Sequence, residues 1–204
     1  MAQIYALTDD KLTPNSSVFS QVREILECGV KFVQYRSKTQ TQDEKLIASL
    51  ISLCEDFGAN LIINDNANLA KKLGAHGVHI GRDDGECAKV REFLGKDKII
   101  GVTCYSDLNL ALNSQKNGAS YAAFGAMFAS PTKKEAPLCP RQIVQKAKAN
   151  LQIPVAIIGG INEQNLSEIL GLKADYIALV SAIYKPNSIT QNISNLQGII
   201  NGYI

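Results

Sequence analysis

Residues 72–81 read KLGAHGVHIG, in which a helix end, a glycine and a short apolar strand follow one another. The same order recurs in three further segments: ECGVKFVQ at 27–34, KNGASYAAFG at 116–125 and LGLKADYIAL at 170–179. A glycine suits the residue after a helix, where the backbone often takes a positive φ. The repeat therefore predicts successive helix-to-strand units with left-handed residues at Gly29, Gly74, Gly118 and Gly171.

Eight short apolar or β-branched runs have the length and composition of strands. They are IYAL near Ile4, KFVQY near Phe32, NLIIN near Ile62, GVHI near Val78, KIIGV near Ile100, YAAF near Tyr121, PVAII near Val155 and YIALV near Ile177. Segments between them, such as VFSQVREILECG and NEQNLSEILG, repeat apolar residues three or four positions apart, as helices do. Alternating strands and helices form a parallel sheet. Eight units favour a (β/α)8 barrel over a doubly wound sheet, with residues 1–204 as one α/β domain.

The bulk composition argues against several classes of partner. Lys and Arg number 21 against 19 Asp and Glu, and a net charge of +2 is too small to indicate nucleic acid or an anionic membrane. The opening MAQIYALTDD lacks the features of a secretory signal, and no apolar run approaches the ~20 residues of a membrane span. We expect a cytoplasmic protein that acts on small molecules.

Its five cysteines, without a C-x-x-C pair, predict reduced thiols.

A polar cluster follows the second predicted strand. In the segment Gln34-Tyr35-Arg36-Ser37-Lys38, strand alternation sends Gln34, Arg36 and Lys38 to one side. Arg binds phosphate in a fork and Lys binds it as a point charge, so this pair indicates a phosphate or diphosphate site. The alternative is a solvated polar strand end.

Two carboxylates follow the next two strands. The third strand ends at Asn64-Asp65, and the fourth leads into GRDD, which ends at Asp84. Mg²⁺ is usually held by one or two carboxylates, with phosphate oxygens and waters as the other ligands. Beside the basic cluster, Asp65 and Asp84 therefore predict a Mg²⁺ site, although N-D and D-D pairs also form turns and helix caps.

Hydroxyls and a basic loop follow the fifth and sixth strands. Thr103 reaches the predicted mouth of the barrel, where a threonine can bind a ligand or cap a helix. The sixth strand leads into residues 125–140, GAMFASPTKKEAPLCP, which include Lys133. Long loops with hydroxyls and Lys often act as lids, and the alternative is a basic surface loop.

The last two strands end in small residues. Gly159-Gly160 follows the seventh strand and Val180-Ser181 the eighth. Main-chain N–H groups can approach an anion closely there, which predicts a second phosphate site. His76 and His79 are interpreted as structural, and Cys104, the thiol nearest the mouth, has no base placed to activate it.

Seven segments together resemble the thiamine phosphate synthase family in order and spacing. They are QYRSK, LIINDNANLA, GAHGVHIGRDD, IIGVTCY, GASYAAFGAMFASPTKK, VAIIGGI and IALVSAI, and they cover nearly the whole chain. The resemblance implies a (β/α)8 transferase. Its reaction joins a hydroxymethylpyrimidine diphosphate to a hydroxyethylthiazole phosphate with Mg²⁺, giving thiamine phosphate and diphosphate through a pyrimidine carbocation.

The resemblance also implies roles for individual residues. The pyrimidine diphosphate would be bound by Gln34, Tyr35, Arg36, Ser37, Lys38, Asn64, Thr103 and Lys133. The thiazole phosphate would be bound by Ser130, Pro131, Thr132, Gly160, Val180 and Ser181. Asp65 and Asp84 would hold Mg²⁺. Arg36, Lys38 and Lys133 would be catalytic, because cations stabilise the charge that grows on a diphosphate leaving group.

Three positions depart from the common family pattern. Ala126 stands where many members have Pro, Ser130 where many have Thr, and Tyr105 where many have His. The thiazole tautomerase branch uses that His as an acid or base, so Tyr105 argues against a tautomerase. A non-catalytic barrel for a phosphorylated ligand and a sugar-phosphate epimerase stay as alternatives. A homodimer would be a common assembly, but the sequence has no interface pattern.

Overall fold

The computed structural model describes residues 1–39, 42–129 and 137–203. They form a closed barrel in which eight parallel strands follow one another in chain order. The strands are β1 Gln3–Leu7, β2 Phe32–Tyr35, β3 Asn60–Asn64, β4 Gly77–Ile80, β5 Ile99–Tyr105, β6 Tyr121–Gly125, β7 Val155–Ile158 and β8 Tyr176–Leu179. The helices are α1 Val18–Glu27, α2 Glu44–Asp56, α3 Ala67–Leu73, α4 Cys87–Leu94, α5 Leu108–Lys116, α6 Arg141–Asn150, α7 Ser167–Leu170, α8 Ser181–Tyr184 and α9 Ile189–Gly202. The predicted (β/α)8 barrel is confirmed.

Strand alternation divides the core into two layers. Inward-facing side chains fill the barrel, and the buried apolar ones include Tyr5, Leu7, Phe32, Ile62, Tyr121, Ala123, Ala156 and Ala178. Outward-facing residues such as Val33, Ile63 and Val78 pack in the larger cluster with the helices. Within the described residues, no helix is long and apolar enough to cross a membrane.

One predicted helix has different bounds in the structure. The seventh helix is shorter than NEQNLSEILG predicts, because it begins only at Ser167. The side chain of Asn162 accepts from the N–H of Gln164, and that of Asn165 accepts from the N–H of Asn162. Such local side-chain bonds compete with helix formation, so the first half of the segment forms turns.

Three of the four predicted left-handed glycines are confirmed. Gly29, Gly74 and Gly118 have φ angles of 83°, 73° and 88°. The prediction for Gly171 is wrong, because its φ is −60° and the positive φ of 53° belongs to Lys173. The N–H of Lys173 bonds to the carbonyl of Leu170, so the chain makes one more turn before it reverses.

Candidate functional site

The backbone of Arg36 is fixed by the end of β1. Since β2 ends at Tyr35, strand alternation does not orient Arg36 and Lys38, contrary to the sequence argument. The hydroxyl of Thr8 instead accepts from the Arg36 N–H at 2.8 Å and donates to the Arg36 carbonyl at 3.2 Å. The Arg36 guanidinium lies 3.8 Å from the Asp9 carboxylate. Sequence reasoning missed Thr8 and Asp9, although LTDD at residues 7–10 follows a strand as the other site segments do.

Lys38, Asp65 and Asp84 form one charged cluster at the ends of β2, β3 and β4. The Lys38 ammonium contacts the Asp65 carboxylate, and the backbone N–H of Lys38 donates to Asp10 at 2.8 Å. The Asp84 carboxylate accepts from the Gly81 N–H at 2.7 Å. The Asp65 and Asp84 carboxyl groups are close enough for each to influence the pKa of the other.

The two carboxyl groups differ in acidity. Burial by itself raises the pKa of Asp65, but hydrogen bonds with Lys38 and Asp84 outweigh it, and the pKa falls below its ordinary value. Burial and the neighbouring Asp65 carboxylate raise the pKa of Asp84, although the Gly81 N–H opposes them. Two interacting carboxylates with one ammonium beside them make a site that favours an added cation.

These residues fit the predicted Mg²⁺ site. The Lys38 ammonium is a cation that already contacts Asp65, so the position suits positive charge. Among the described residues no group of three or more His, Cys, Asp or Glu could hold a metal. Mg²⁺ does not need one, because it commonly binds one or two carboxylates and completes its shell with substrate phosphates and water.

Two residues at the ends of β3 and β5 have a strained backbone. Asp65 and Tyr105 have positive φ angles of 62° and 55°, in a region that non-glycine residues rarely adopt. The Arg82 guanidinium lies over the Tyr105 ring, 5.1 Å from its centroid. A strained conformation persists only where the surrounding structure holds it in place, and such residues are common at functional sites.

The remaining residues of the second strand end face in different directions. Gln34 points into the barrel and is buried, whereas Tyr35 belongs to the outer core cluster. Ser37, Lys38, Asn64 and Asp65 line a cavity of about 470 Å³ between the loops after β2 and β3. The structure thus brings Ser37, Lys38 and Asn64 together around one cavity but turns the Tyr35 ring away from the barrel interior.

A continuous hydrogen-bond chain crosses the barrel interior beneath the mouth. The Gln34 amide nitrogen donates to the Tyr5 hydroxyl at 2.7 Å, which lies 2.9 Å from the Tyr121 hydroxyl. The Tyr121 hydroxyl lies 2.8 Å from His79 Nδ1, and His79 Nε2 lies 2.7 Å from the Thr103 hydroxyl. We call these five residues the interior chain. It links Gln34 and Thr103, two predicted substrate residues on opposite sides of the barrel, and it draws in His79.

The predicted thiazole phosphate residues lie at the ends of β7 and β8. These strands pair side by side, with Ile158 opposite Ala178. Gly160 has a φ of 65°, and its carbonyl accepts from the Asn165 amide at 2.9 Å. The preceding carbonyl, of Gly159, accepts from the Phe128 N–H, so the Gly160 N–H points away from Phe128. Val180 precedes α8, and Ser181 is its first residue.

Four predicted site residues lie outside the described residues, and they are Ser130, Pro131, Thr132 and Lys133. The described flanks of their loop meet, because the Ala126 N–H donates to the Pro137 carbonyl and the Cys139 N–H donates to the Ala126 carbonyl. Cys104 is buried outside the barrel wall, and burial raises the pKa of its thiol to about 12. Such a thiol is protonated at neutral pH and is a poor nucleophile.

Comparisons with known proteins identify the family. A family model described as thiamine monophosphate synthase matches residues 4–183. The chain is 40% identical over 183 residues to the thiamine-phosphate synthase of Thioalkalivibrio sulfidiphilus, covering 89% of this chain and 87% of the relative. The chain belongs to the thiamine monophosphate synthase family. This result confirms the resemblance found in the sequence, and the synthases named in these comparisons are transferases.

Other members of the family agree in sequence and in fold. The thiamine-phosphate synthase of Halorhodospira halophila is 39% identical over 186 residues, covering 90% of this chain and 87% of that one. The solved structure of thiamine phosphate pyrophosphorylase from Pyrococcus furiosus has a TM-score of 0.88 and 29% identity, covering 99% of this chain and 96% of its own. The similarity therefore includes all eight strands that carry the site.

Proposed function

We propose that this chain joins a hydroxymethylpyrimidine diphosphate to a hydroxyethylthiazole phosphate and releases diphosphate, giving thiamine phosphate. Membership of the thiamine monophosphate synthase family supports this reaction. The observation that carries the site is the cluster of Lys38, Asp65 and Asp84 beside Arg36. These residues lie at the C-terminal strand ends, where barrel enzymes carry their chemistry.

In the proposed reaction, the bond between the pyrimidine methylene carbon and the diphosphate oxygen breaks, and its electron pair leaves with the diphosphate. The thiazole nitrogen then donates its lone pair to the pyrimidine carbocation and forms the new C–N bond. Arg36, Lys38 and Lys133 stabilise the negative charge that grows on the leaving oxygen. Mg²⁺, held by Asp65 and Asp84, supplies Lewis acidity toward the diphosphate when bound. No protein nucleophile is needed, which is consistent with the buried thiol of Cys104.

The second substrate is proposed to bind at the ends of β7 and β8. Ser130, Pro131, Thr132, Gly160, Val180 and Ser181 would surround the thiazole phosphate. Main-chain N–H groups at Gly160 and Ser181 suit an anion because they carry partial positive charge. Asn64 and Thr103 join Gln34 and Ser37 in binding the first substrate.

The test is product formation by the purified chain, given both substrates, with and without Mg²⁺. We expect metal-dependent thiamine phosphate and an equal amount of diphosphate. Tight binding of either substrate without product would favour the non-catalytic barrel, and isomerisation of a thiazole carboxylate phosphate alone would favour the tautomerase.

A further inference from the structure

The interior chain has a defined direction because the Gln34 amide turns its nitrogen, which can only donate, toward Tyr5. Gln34 donates to the Tyr5 hydroxyl, so Tyr5 passes its own proton to the Tyr121 hydroxyl. Tyr121 then donates to His79 Nδ1, which leaves the imidazole proton on Nε2. His79 Nε2–H donates in turn to the Thr103 hydroxyl. Each hydroxyl accepts one bond and donates one, so a single choice at Gln34 sets every later bond.

The middle of the chain is protected from any other arrangement. Tyr5 and Tyr121 are 2% and 1% exposed, and burial raises the pKa of both hydroxyls, so both keep their protons. Edge-to-face rings hold them, with Tyr5 and Phe32 centroids 4.6 Å apart. Gly101 makes room for the Tyr121 ring, since a Cβ at that position would lie 2.0 Å from it. The two tyrosines therefore act only through the groups at the chain ends.

We propose that the interior chain is a positioning relay that makes Thr103 a hydrogen-bond donor and Gln34 a hydrogen-bond acceptor at the barrel mouth. This inference rests on the proposed function. Diphosphate oxygens can only accept, so a group that binds them must donate. The amino group of the pyrimidine donates, so its partner must accept. Because the Gln34 amide nitrogen faces Tyr5, the carbonyl oxygen lies on the other side of the amide, where it can accept from that partner.

In one direction, the interior chain offers an acceptor to the amino group of the pyrimidine diphosphate and a donor to its phosphate oxygens. In the reverse direction it offers the wrong group to each. Reversal would turn the Gln34 amide nitrogen toward a substrate donor and would present Thr103 lone pairs to phosphate oxygen. The relay thus selects a ligand that combines an N–H donor near β2 with an acceptor-only anion near β5. Tyr5, Tyr121 and His79 are positioning residues in this scheme.

The kinetic test compares two tyrosines of the same interior cluster. Tyr121→Phe removes one hydroxyl of the interior chain. Tyr176→Phe is the control, because the Tyr176 ring packs against Tyr121 but its hydroxyl is not part of the interior chain. We expect Tyr121→Phe to lower kcat/KM for the pyrimidine diphosphate roughly tenfold, with KM for the thiazole phosphate unchanged. Tyr176→Phe should stay within about twofold of the parent. Equal effects of the two variants would overturn the relay.

A double-mutant cycle separates relay from simple packing. Thr103→Val removes the end of the chain, and Thr103→Ser keeps its hydroxyl and should restore most of the activity. If Tyr121 acts through Thr103, adding Tyr121→Phe to Thr103→Val should change kcat/KM by less than about twofold. Fully additive losses would contradict the coupling, and unchanged melting temperatures show that the variants fold.

The direction of the hydrogen bonds in the interior chain can be measured without any substrate. The protein contains two histidines, so ¹⁵N-histidine spectra show two imidazoles. The signal that is lost in His79→Asn belongs to His79. We expect the neutral Nε2–H tautomer at His79 and a mixed population in Tyr121→Phe. An Nδ1–H tautomer in the parent protein would overturn the direction. If the parent makes no thiamine phosphate, the substrate assignment falls with the proposed function, while the spectra still report the direction.

Discussion

Asp65 and Asp84 illustrate how single residues at different strand ends become one electrostatic unit. Their like charges repel, and the structure offsets this with the Lys38 ammonium and the Gly81 N–H. A divalent cation would relieve the repulsion more completely than one ammonium can, because it carries twice the charge. Binding of the cation would also leave Lys38 able to contact a diphosphate.

Loss of either carboxylate should weaken the response to Mg²⁺. We expect Asp65→Ala and Asp84→Ala to raise the Mg²⁺ concentration for half-maximal activity by roughly tenfold or more, because one ligand is lost. Titration of initial rate with Mg²⁺ measures this. Asp83→Ala is the matched control, since Asp83 is exposed beside Asp84. A parent-like titration in both Asp65 and Asp84 variants would contradict the metal site.

Arg36 should matter through its charge and its fork of donors. We expect Arg36→Ala to lower kcat/KM for the pyrimidine diphosphate by about 10²–10³, because the leaving group loses an oriented cation. Steady-state rates check this. Arg141→Ala controls for loss of an arginine, since Arg141 forms an exposed pair with Glu168 at 2.7 Å. Similar rates in the two variants would remove Arg36 from the site.

At the scale of the elements, the turn after β7 depends on glycine. Gly160 has a positive φ, and a Cβ there would lie 2.6 Å from the backbone oxygens of Phe128 and Ala129. A backbone atom cannot move aside as a flexible side chain can. The close approach of this turn to the segment after β6 therefore requires a residue without a side chain.

Gly160→Ala and Gly198→Ala should change stability in opposite directions. We expect Gly160→Ala to lower the free energy of unfolding by roughly 1–3 kcal/mol and to weaken thiazole phosphate binding, because it introduces strain and a clash. Gly198 lies within α9 with nothing near its Cβ position, so Gly198→Ala should stabilise the protein by about 0.4–1 kcal/mol. Urea unfolding measures both, and a Gly160→Ala protein as stable as Gly198→Ala would refute the argument.

For the whole molecule, His76 couples folding to pH. Its Nδ1 accepts from the Leu61 N–H at 3.1 Å, and burial lowers its pKa below the ordinary value of 6.5. The unfolded chain therefore binds a proton at His76 more readily than the folded chain does. This contribution to stability is complete above pH 6.5 and is lost as the pH falls through the lowered pKa.

Acidification should therefore destabilise the parent more than a variant without this imidazole. We expect the loss of unfolding free energy between about pH 7.5 and pH 5.5 to be larger in the parent than in His76→Gln. Urea unfolding at the two pH values measures the difference. The His76→Gln variant lacks the hydrogen bond from the Leu61 N–H at both pH values, so the loss of that bond does not affect the difference in stability between the two pH values. Equal pH dependence would contradict the assignment.

The sequence by itself determined the barrel and the family, and it predicted the strand-end residues of the proposed site. Hydrophobic periodicity and the glycines that end helices are local properties of the sequence, so they predict eight strands that alternate with helices. Such strands are parallel, and their C-terminal ends lie at the same mouth of the barrel. The cytoplasmic location and the homodimer stay predictions. Only the tertiary structure decided that Thr8 holds Arg36, that Lys38 contacts Asp65 and that Tyr35 faces outward. It also decided the interior chain, because Tyr5 and Tyr121 are separated by 116 positions and meet only when the barrel closes.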